Sequence, residues 1–148
     1  MNETDRKILS LLQDNNKTSM TTLAEHTGLS VSAVNDRVRK LQSNGTIIEN
    51  CAIVDPEALG LGLLAFLFID LHQNTDEEAF IQQMKRFAEV QELHHVTGQH
   101  NYMAKVRVKN TKGLQSFLSQ KLKRQQGVAQ TETLIVLQSE KETTALPT

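Results

Sequence analysis

Ser32, Asn35 and Arg39 recur at intervals of three and four residues, and Lys40, Asp36 and Ser43 complete the same polar set. Side chains so spaced share one side of a helix. Arg and Lys donate to guanine edges, Asn pairs with adenine, and Ser and Thr hydroxyls reach phosphate oxygens. The chemistry on offer is recognition of a duplex groove rather than bond making. Arg37 stands at the flank of the set, either a phosphate contact or a prop for the helix. A solvated face on an ordinary helical hairpin carries the same residue types, so the surrounding elements must decide between the two.

Those elements are three short helices within residues 1–45. In the first, Ile8, Leu11 and Leu12 recur at helical spacing, Asn2 or Thr4 caps the start, and Glu3 and Asp5 suit the positive end of the helix dipole. Asp14-Asn15-Asn16 ends it. Thr18 or Ser19 then caps a helix with the stripe Met20, Leu23 and Ala24, and Gly28 stops it by entering the left-handed region. Ser30 caps the third helix, whose inward face is Val34, Val38 and Leu41 with Val31 beside it, and Gly45 closes it. Two helices joined through Thr27-Gly28-Leu29 have helix-turn-helix spacing, and the polar set falls on the outer face of the second of them. Residues 46–54, rich in Ile and Val, follow Gly45 directly and predict a strand that makes a wing and then a link. Cys51 in that strand is expected to be a small buried hydrophobe.

Asp55-Pro56 marks a turn, and Gly60-Leu61-Gly62 ends a short connector. Beyond it Leu63 to Leu71 is a continuous apolar run, and Asp76-Glu77-Glu78 opens a helix carrying Phe80, Ile81, Met84 and Phe87. Gln91 to Thr97 reads as a strand, Gly98-Gln99-His100-Asn101 as a turn, and Tyr102 to Lys109 as a strand of strict alternation. A second helix bears Leu114, Phe117, Leu118 and Leu122, and Val128 to Gln138 is the last strand. The order is β-α-β-β-α-β, a ferredoxin-like unit with both helices on one face of a four-stranded antiparallel sheet. Its first strand is central and apolar on both sides, so the open face predicts a second subunit packed sheet against sheet. The fold class is therefore α+β, with a winged helix-turn-helix over 1–50, a linking strand and connector over 51–60, and the ferredoxin-like unit over 61–148.

Composition narrows the function classes. The chain has 148 residues, 39% of them hydrophobic, with a formal net charge of -1 and one cysteine. That is too short for a large enzyme fold and too apolar for disorder. Two small units of this size lean on self-association to complete their cores. One cysteine makes neither a disulfide nor a CxxC site, and no apolar run approaches the ~20 residues of a membrane span; a cytoplasmic protein is expected. Residues 1–50 carry Arg6, Lys7, Lys17, Arg37, Arg39 and Lys40 against Glu3, Asp5, Asp14, Glu25, Asp36 and Glu49. Binding to nucleic acid must come from the placement of charge, not its sum.

These residues together resemble the Lrp/AsnC family of transcription regulators. The resemblance rests on Asp5-Arg6-Lys7-Ile8-Leu9, Leu23-Ala24, Gly28-Leu29-Ser30, Val34 with Arg37-Val38-Arg39-Lys40-Leu41, and Gly45-Thr46-Ile47-Ile48. It continues through Val54-Asp55-Pro56, Leu59-Gly60, Val96-Thr97-Gly98, Thr131-Glu132-Thr133, Lys141 and Leu146-Pro147, nearly the whole chain. What the resemblance implies is a regulator that binds double-stranded DNA on the nucleoid, assembles as dimers that join into tetramers or octamers, and takes an amino acid between dimers. Ser32, Asn35, Arg39 and Lys40 would contact bases, with Thr18, Ser19, Thr21 and Ser30 gripping phosphate at helix starts. The effector turn would be Gly98, Gln99, His100 and Asn101. Here the sequence departs from the family pattern, because Gln99 and Asn101 stand where many members carry acids. A neutral acceptor forgoes the charge-assisted bond to an ammonium group, so the identity of the effector, and a polar turn with no ligand, both stay open.

Other chemistry finds little support. The family has relatives of similar architecture that decarboxylate sirohaem and use histidines, but His94 and His95 are adjacent on a strand and face opposite ways. His26 and His72 are scattered. Gly60-Leu61-Gly62 precedes a strand and lacks the third glycine of a dinucleotide loop. No metal, cofactor or catalytic residue is expected. A sirohaem decarboxylase-like enzyme and an architectural DNA-binding protein without an effector remain as rivals.

Overall fold

The computed structural model describes residues 1–148 and divides into two compact units. Met1–Ile53 together with Lys141–Thr148 form one unit, and Val54–Glu140 form the other. The expected segment 61–148 thus loses its last eight residues to the helical unit.

The helical unit holds α1 (Glu3–Asp14), α2 (Met20–Thr27) and α3 (Val31–Ser43). Each starts on a side chain that satisfies an otherwise orphaned amide: Asn2 accepts from the Asp5 N–H, Ser19 from Thr22 and Ser30 from Ala33. Ile8, Leu9, Leu23, Ala24, Val34, Val38 and Leu41 form its core. Gly28 ends α2 at φ 71°, a left-handed backbone that L side chains seldom adopt, and this sets the turn into α3.

The strand expected over 46–54 does not form within this chain. Ile47 N–H bonds back to the Leu41 carbonyl at 2.9 Å, and beyond it no ladder begins. A strand must give its amides to a neighbouring edge, and a unit made only of helices offers none. Ile48 and Ile53 are left 93% and 88% exposed, and Cys51, expected to be buried, is exposed with them.

The second unit is a four-stranded antiparallel sheet of β1 (Leu63–Leu71), β2 (Val90–His95), β3 (Tyr102–Val108) and β4 (Val128–Ile135), ordered β2-β3-β1-β4. The first and third strands are central, as the topology requires. The helix α4 (Glu77–Met84) begins at Asp76, whose carboxylate accepts from Ala79 N–H. The expected second helix is broken: α5 (Thr111–Ser116) passes into a π turn over Phe117–Lys121 and a 3₁₀ turn over Leu122–Arg124. The π turn brings Lys121 to Glu89 at 2.6 Å and over the Phe87 ring, while Phe117 and Leu122 stay buried. Strands β2 and β4 stop short of the expected Thr97 and Gln138.

Alternation assigns the two faces of this sheet. Ala65, Leu67, Ile69, Tyr102, Ala104, Val106 and Val108 pack with Phe80, Met84, Leu114, Phe117 and Leu122 in one core. Phe66, Phe68 and Asp70 of β1, Met103 and Lys105 of β3, and Glu132 and Leu134 of β4 point to the other face. Both phenylalanines there are only half-buried.

Candidate nucleic-acid interface and sensing turn

Burial of Val34, Val38 and Leu41 fixes the rotation of α3, and that rotation presents Ser32, Asp36, Arg39, Lys40 and Ser43 to solvent. Asn35 is half-buried at the edge, its amide donating to the Val31 carbonyl at 3.1 Å. Arg37 does not join this face. Its guanidinium donates to the Asp5 carboxylate at 2.7 Å and so ties α3 to α1. The Ser19 hydroxyl accepts from Thr22 N–H at 3.0 Å, the Thr18 hydroxyl donates to the Asn15 carbonyl at 2.7 Å, and Thr21 is exposed beside them. Hydroxyls and the open start of α2 therefore gather at one end of the helix pair.

The turn over 98–101 is built more firmly than its sequence suggests. The side-chain oxygen of Asn101 accepts from Leu71 N–H at 2.9 Å, and the Asn101 N–H donates to Asp70 at 3.2 Å. His100 places Nδ1 3.1 Å from Asp70 and Nε2 3.4 Å from Glu132, its ring 5.1 Å from that of Phe68. Gly98 takes φ 113° with open space around it. Gln99 and Asn101 are exposed, and His100 is half-buried. Two carboxylates thus reach the turn from β1 and β4, although the turn has none of its own. Sequence reasoning passed over both. Asp70 is the one charged residue in the run Leu63–Leu71, a signal that was available; the approach of Glu132 depends on strand register and was not.

The remaining histidines do not converge. His94 lies 3.2 Å from Glu92, and His95 stacks on Tyr102 with ring centroids 4.8 Å apart. No three His, Cys, Asp or Glu side chains group in a way that could hold a metal ion. No helix is long and apolar enough to cross a membrane.

A capped helix pair with an exposed reading face, followed by an antiparallel α+β unit bearing a braced polar turn, defines a DNA-binding regulator with an appended sensing unit. The comparisons agree with that class and sharpen it. Residues 1–48 match the family model for a winged helix-turn-helix DNA-binding domain, and residues 64–146 match that for the Lrp/AsnC ligand binding domain. The chain is 36% identical to the HTH-type transcriptional regulator FL11 of Pyrococcus horikoshii over 99% of its length and 96% of that protein. It is 33% identical to the leucine-responsive regulatory protein of Escherichia coli, over 96% of this chain and 88% of that one. Among solved structures, a transcriptional regulator of Neisseria meningitidis in complex with L-Met superposes with a TM-score of 0.96 at 29% identity, covering 99% of this chain and 96% of that one. The AsnC structure of Escherichia coli gives 0.92 at 31% identity, with 99% of both chains covered. The chain belongs to the Lrp/AsnC family of DNA-binding transcription regulators.

Proposed function

We propose that α3 enters the major groove, where Ser32, Asn35, Arg39 and Lys40 contact bases while Thr18, Ser19, Thr21 and Ser30 grip the flanking phosphates. The observation that carries this reading is the exposed Ser32–Arg39–Lys40 face, held outward by a buried stripe and braced by Arg37 on Asp5. With six basic residues against six acidic ones in residues 1–50, a single subunit binds weakly. Affinity then comes from several reading helices held together, which supports assembly as dimers through the open sheet face and beyond them as tetramers or octamers. In that role the protein works in the cytoplasm, on the nucleoid.

The turn Gly98, Gln99, His100 and Asn101 is the proposed seat of an amino acid or related small metabolite, a reading supported by the L-Met complex of the Neisseria meningitidis relative. A thermal-shift screen of ligand-stripped protein against the common amino acids, L-methionine included, tests it. Ligand that binds only the native state raises the melting temperature by mass action. A selective rise at millimolar concentration, lost in Asn101→Ala while that variant stays folded, supports a sensor. A flat panel overturns it and supports a DNA organiser without a small-molecule signal. That second reading draws on one observation: the side-chain oxygen and the N–H of Asn101 are used to fasten the turn to β1.

A further inference from the structure

The end of α3 is closed by hydrogen bonds that run through one short stretch of chain. Asn44 N–H donates to the Lys40 carbonyl at 3.0 Å, Gly45 N–H to that of Gln42 at 3.1 Å, and Ile47 N–H to that of Leu41 at 2.9 Å. The Asn44 side chain folds back along the chain, where its Oδ1 accepts from Thr46 N–H at 3.1 Å. Asn44, Gly45 and Thr46 are all exposed, and nothing stands within 4 Å of the place that a Gly45 Cβ would take. Asn44 is also the one asparagine of the chain that a glycine follows. This pairing carries chemistry of its own. A main-chain nitrogen can attack the carboxamide of the residue before it, and a residue without Cβ neither shields that nitrogen nor resists the backbone rotation that the attack requires.

We propose that Asn44 and Gly45 form a site of spontaneous deamidation whose products unfasten the end of the reading helix. The Gly45 nitrogen gives its proton to solvent base and bonds to the Asn44 Cγ. The Cγ–Nδ2 bond then breaks, and ammonia leaves with a proton taken from water. Water opens the resulting succinimide at Cγ, which gives aspartate, or at the main-chain carbonyl carbon, which gives isoaspartate. Thr46 N–H already donates to the oxygen that becomes negative as the nitrogen adds. The bond from Gly45 N–H to Gln42 must first let go, and fraying of an exposed last turn allows it. Either product sets a carboxylate at the negative end of the α3 dipole, where it loosens the turn that carries Lys40. Isoaspartate also brings Cβ into the main chain, which moves the Gly45 and Ile47 amides off their Gln42 and Leu41 partners. One more negative charge tips the even balance of residues 1–50 against DNA. That consequence for DNA rests on the reading of α3 as the recognition helix, whereas the chemistry does not.

The test holds the freshly purified full chain at mildly alkaline pH and follows it by peptide mass spectrometry, with electron-transfer fragmentation to tell isoaspartate from aspartate. Asn15 is the internal control. It is exposed at the end of α1, and its Oδ1 accepts from Lys17 N–H at 3.0 Å, the same bond to the second residue on that Asn44 makes, but the residue after it is Asn16. Asn44 is expected to lose its amide while Asn15 keeps its own. Asn44→Gln cannot close the same ring and keeps its amide through the incubation. In DNA binding the parent protein loses affinity in step with the converted fraction, and fully converted protein binds about threefold or more weakly. Aged and fresh Asn44→Gln bind alike, and comparing each protein with its own fresh sample removes any direct effect of the substitution on the helix end. An Asn44 that stays intact, or converts only as fast as Asn15, overturns the proposal, and so does converted protein that binds DNA as the fresh protein does. Fresh parent protein that binds no DNA would instead sink the regulator reading, and the mass spectra would still decide the chemistry.

Discussion

Arg37, Arg39 and Lys40 lie within four residues of one another, yet the structure gives them different surroundings. Arg39 and Lys40 are exposed and aimed away from the core, whereas Arg37 spends its guanidinium on Asp5. Replacing Arg39 and Lys40 together with Ala should weaken DNA binding by roughly 1–3 kcal/mol for each lost base contact, and should reduce the salt slope by about 1 for each lost phosphate contact. The melting temperature should hardly change, since neither side chain packs; fluorescence titration at several salt concentrations checks both. Arg37 calls for a different comparison. If it braces α3, Asp5→Ala should reproduce the loss of DNA affinity seen in Arg37→Ala, although Asp5 belongs to α1 and not to the reading face. If Arg37 met phosphate directly, Asp5→Ala would leave binding intact or raise it by freeing the guanidinium. The pair is part-exposed, so its contribution to folding is small by the standard of surface bridges.

Among the elements, helices and central strands were legible because their signals are local. Ser19, Ser30 and Asp76 cap the helices the sequence marked, and the alternation from Tyr102 to Val108 is the burial pattern of β3. What was not legible depended on partners distant in sequence. Residues 46–54 have strand composition without a strand, because composition cannot supply a neighbouring edge, and the break of α5 into π and 3₁₀ turns goes with a contact of Lys121 to Glu89, a residue distant in sequence. The same holds for the site: α3's face was visible in its spacing, while Asp70 and Glu132 at the turn were brought there by strand register. Two tests belong to this scale. Tyr102 of β3 is buried and donates its hydroxyl to Glu77 at 2.6 Å; burial first, then that carboxylate, push its pKa up to about 12 from 10.0. The folded state holds the phenol neutral where the unfolded chain ionises, so the contribution is full below pH 10 and is lost as pH rises towards 12. Its size is about 2–3 kcal/mol. Denaturant unfolding over that range should therefore show a decline that Tyr102→Phe removes. The loop before β4 gives the second test. Gly127 has φ 93°, and a Cβ there would overlap the methyl and hydroxyl of Thr75, so Gly127→Ala should destabilise the fold by about 2 kcal/mol or more. Adding Thr75→Ala, which removes both the methyl and the hydroxyl that the new Cβ meets, should recover part of that loss but not the backbone cost.

For the whole molecule the open face of the sheet is decisive. Phe66 and Phe68 of β1, Met103 of β3 and Leu134 of β4 lie on it together, and Leu134 is 50% exposed. Apolar side chains clustered on a sheet face form the kind of surface that a second copy covers, and a twofold pairing needs only one self-complementary patch. Phe66 is the better residue to change, because Phe68 also meets the His100 ring and would disturb the turn. Its inward neighbours Ala65 and Leu67 hold the core from the other side, so Phe66→Glu leaves the subunit folded. A glutamate there places a charge in the middle of the proposed contact, where burial without a partner costs several kcal/mol. Analytical ultracentrifugation should show the parent as a dimer or larger at micromolar concentration and Phe66→Glu as a monomer with native circular dichroism. DNA affinity should fall with it, although no residue of the reading face has changed, because each α3 then binds alone and loses the effective concentration of its neighbours. A monomeric variant that binds DNA as tightly as the parent would show that one reading head suffices. An associated Phe66→Glu protein would place the subunit contact elsewhere, with the unpaired segment 46–54 the next surface to alter.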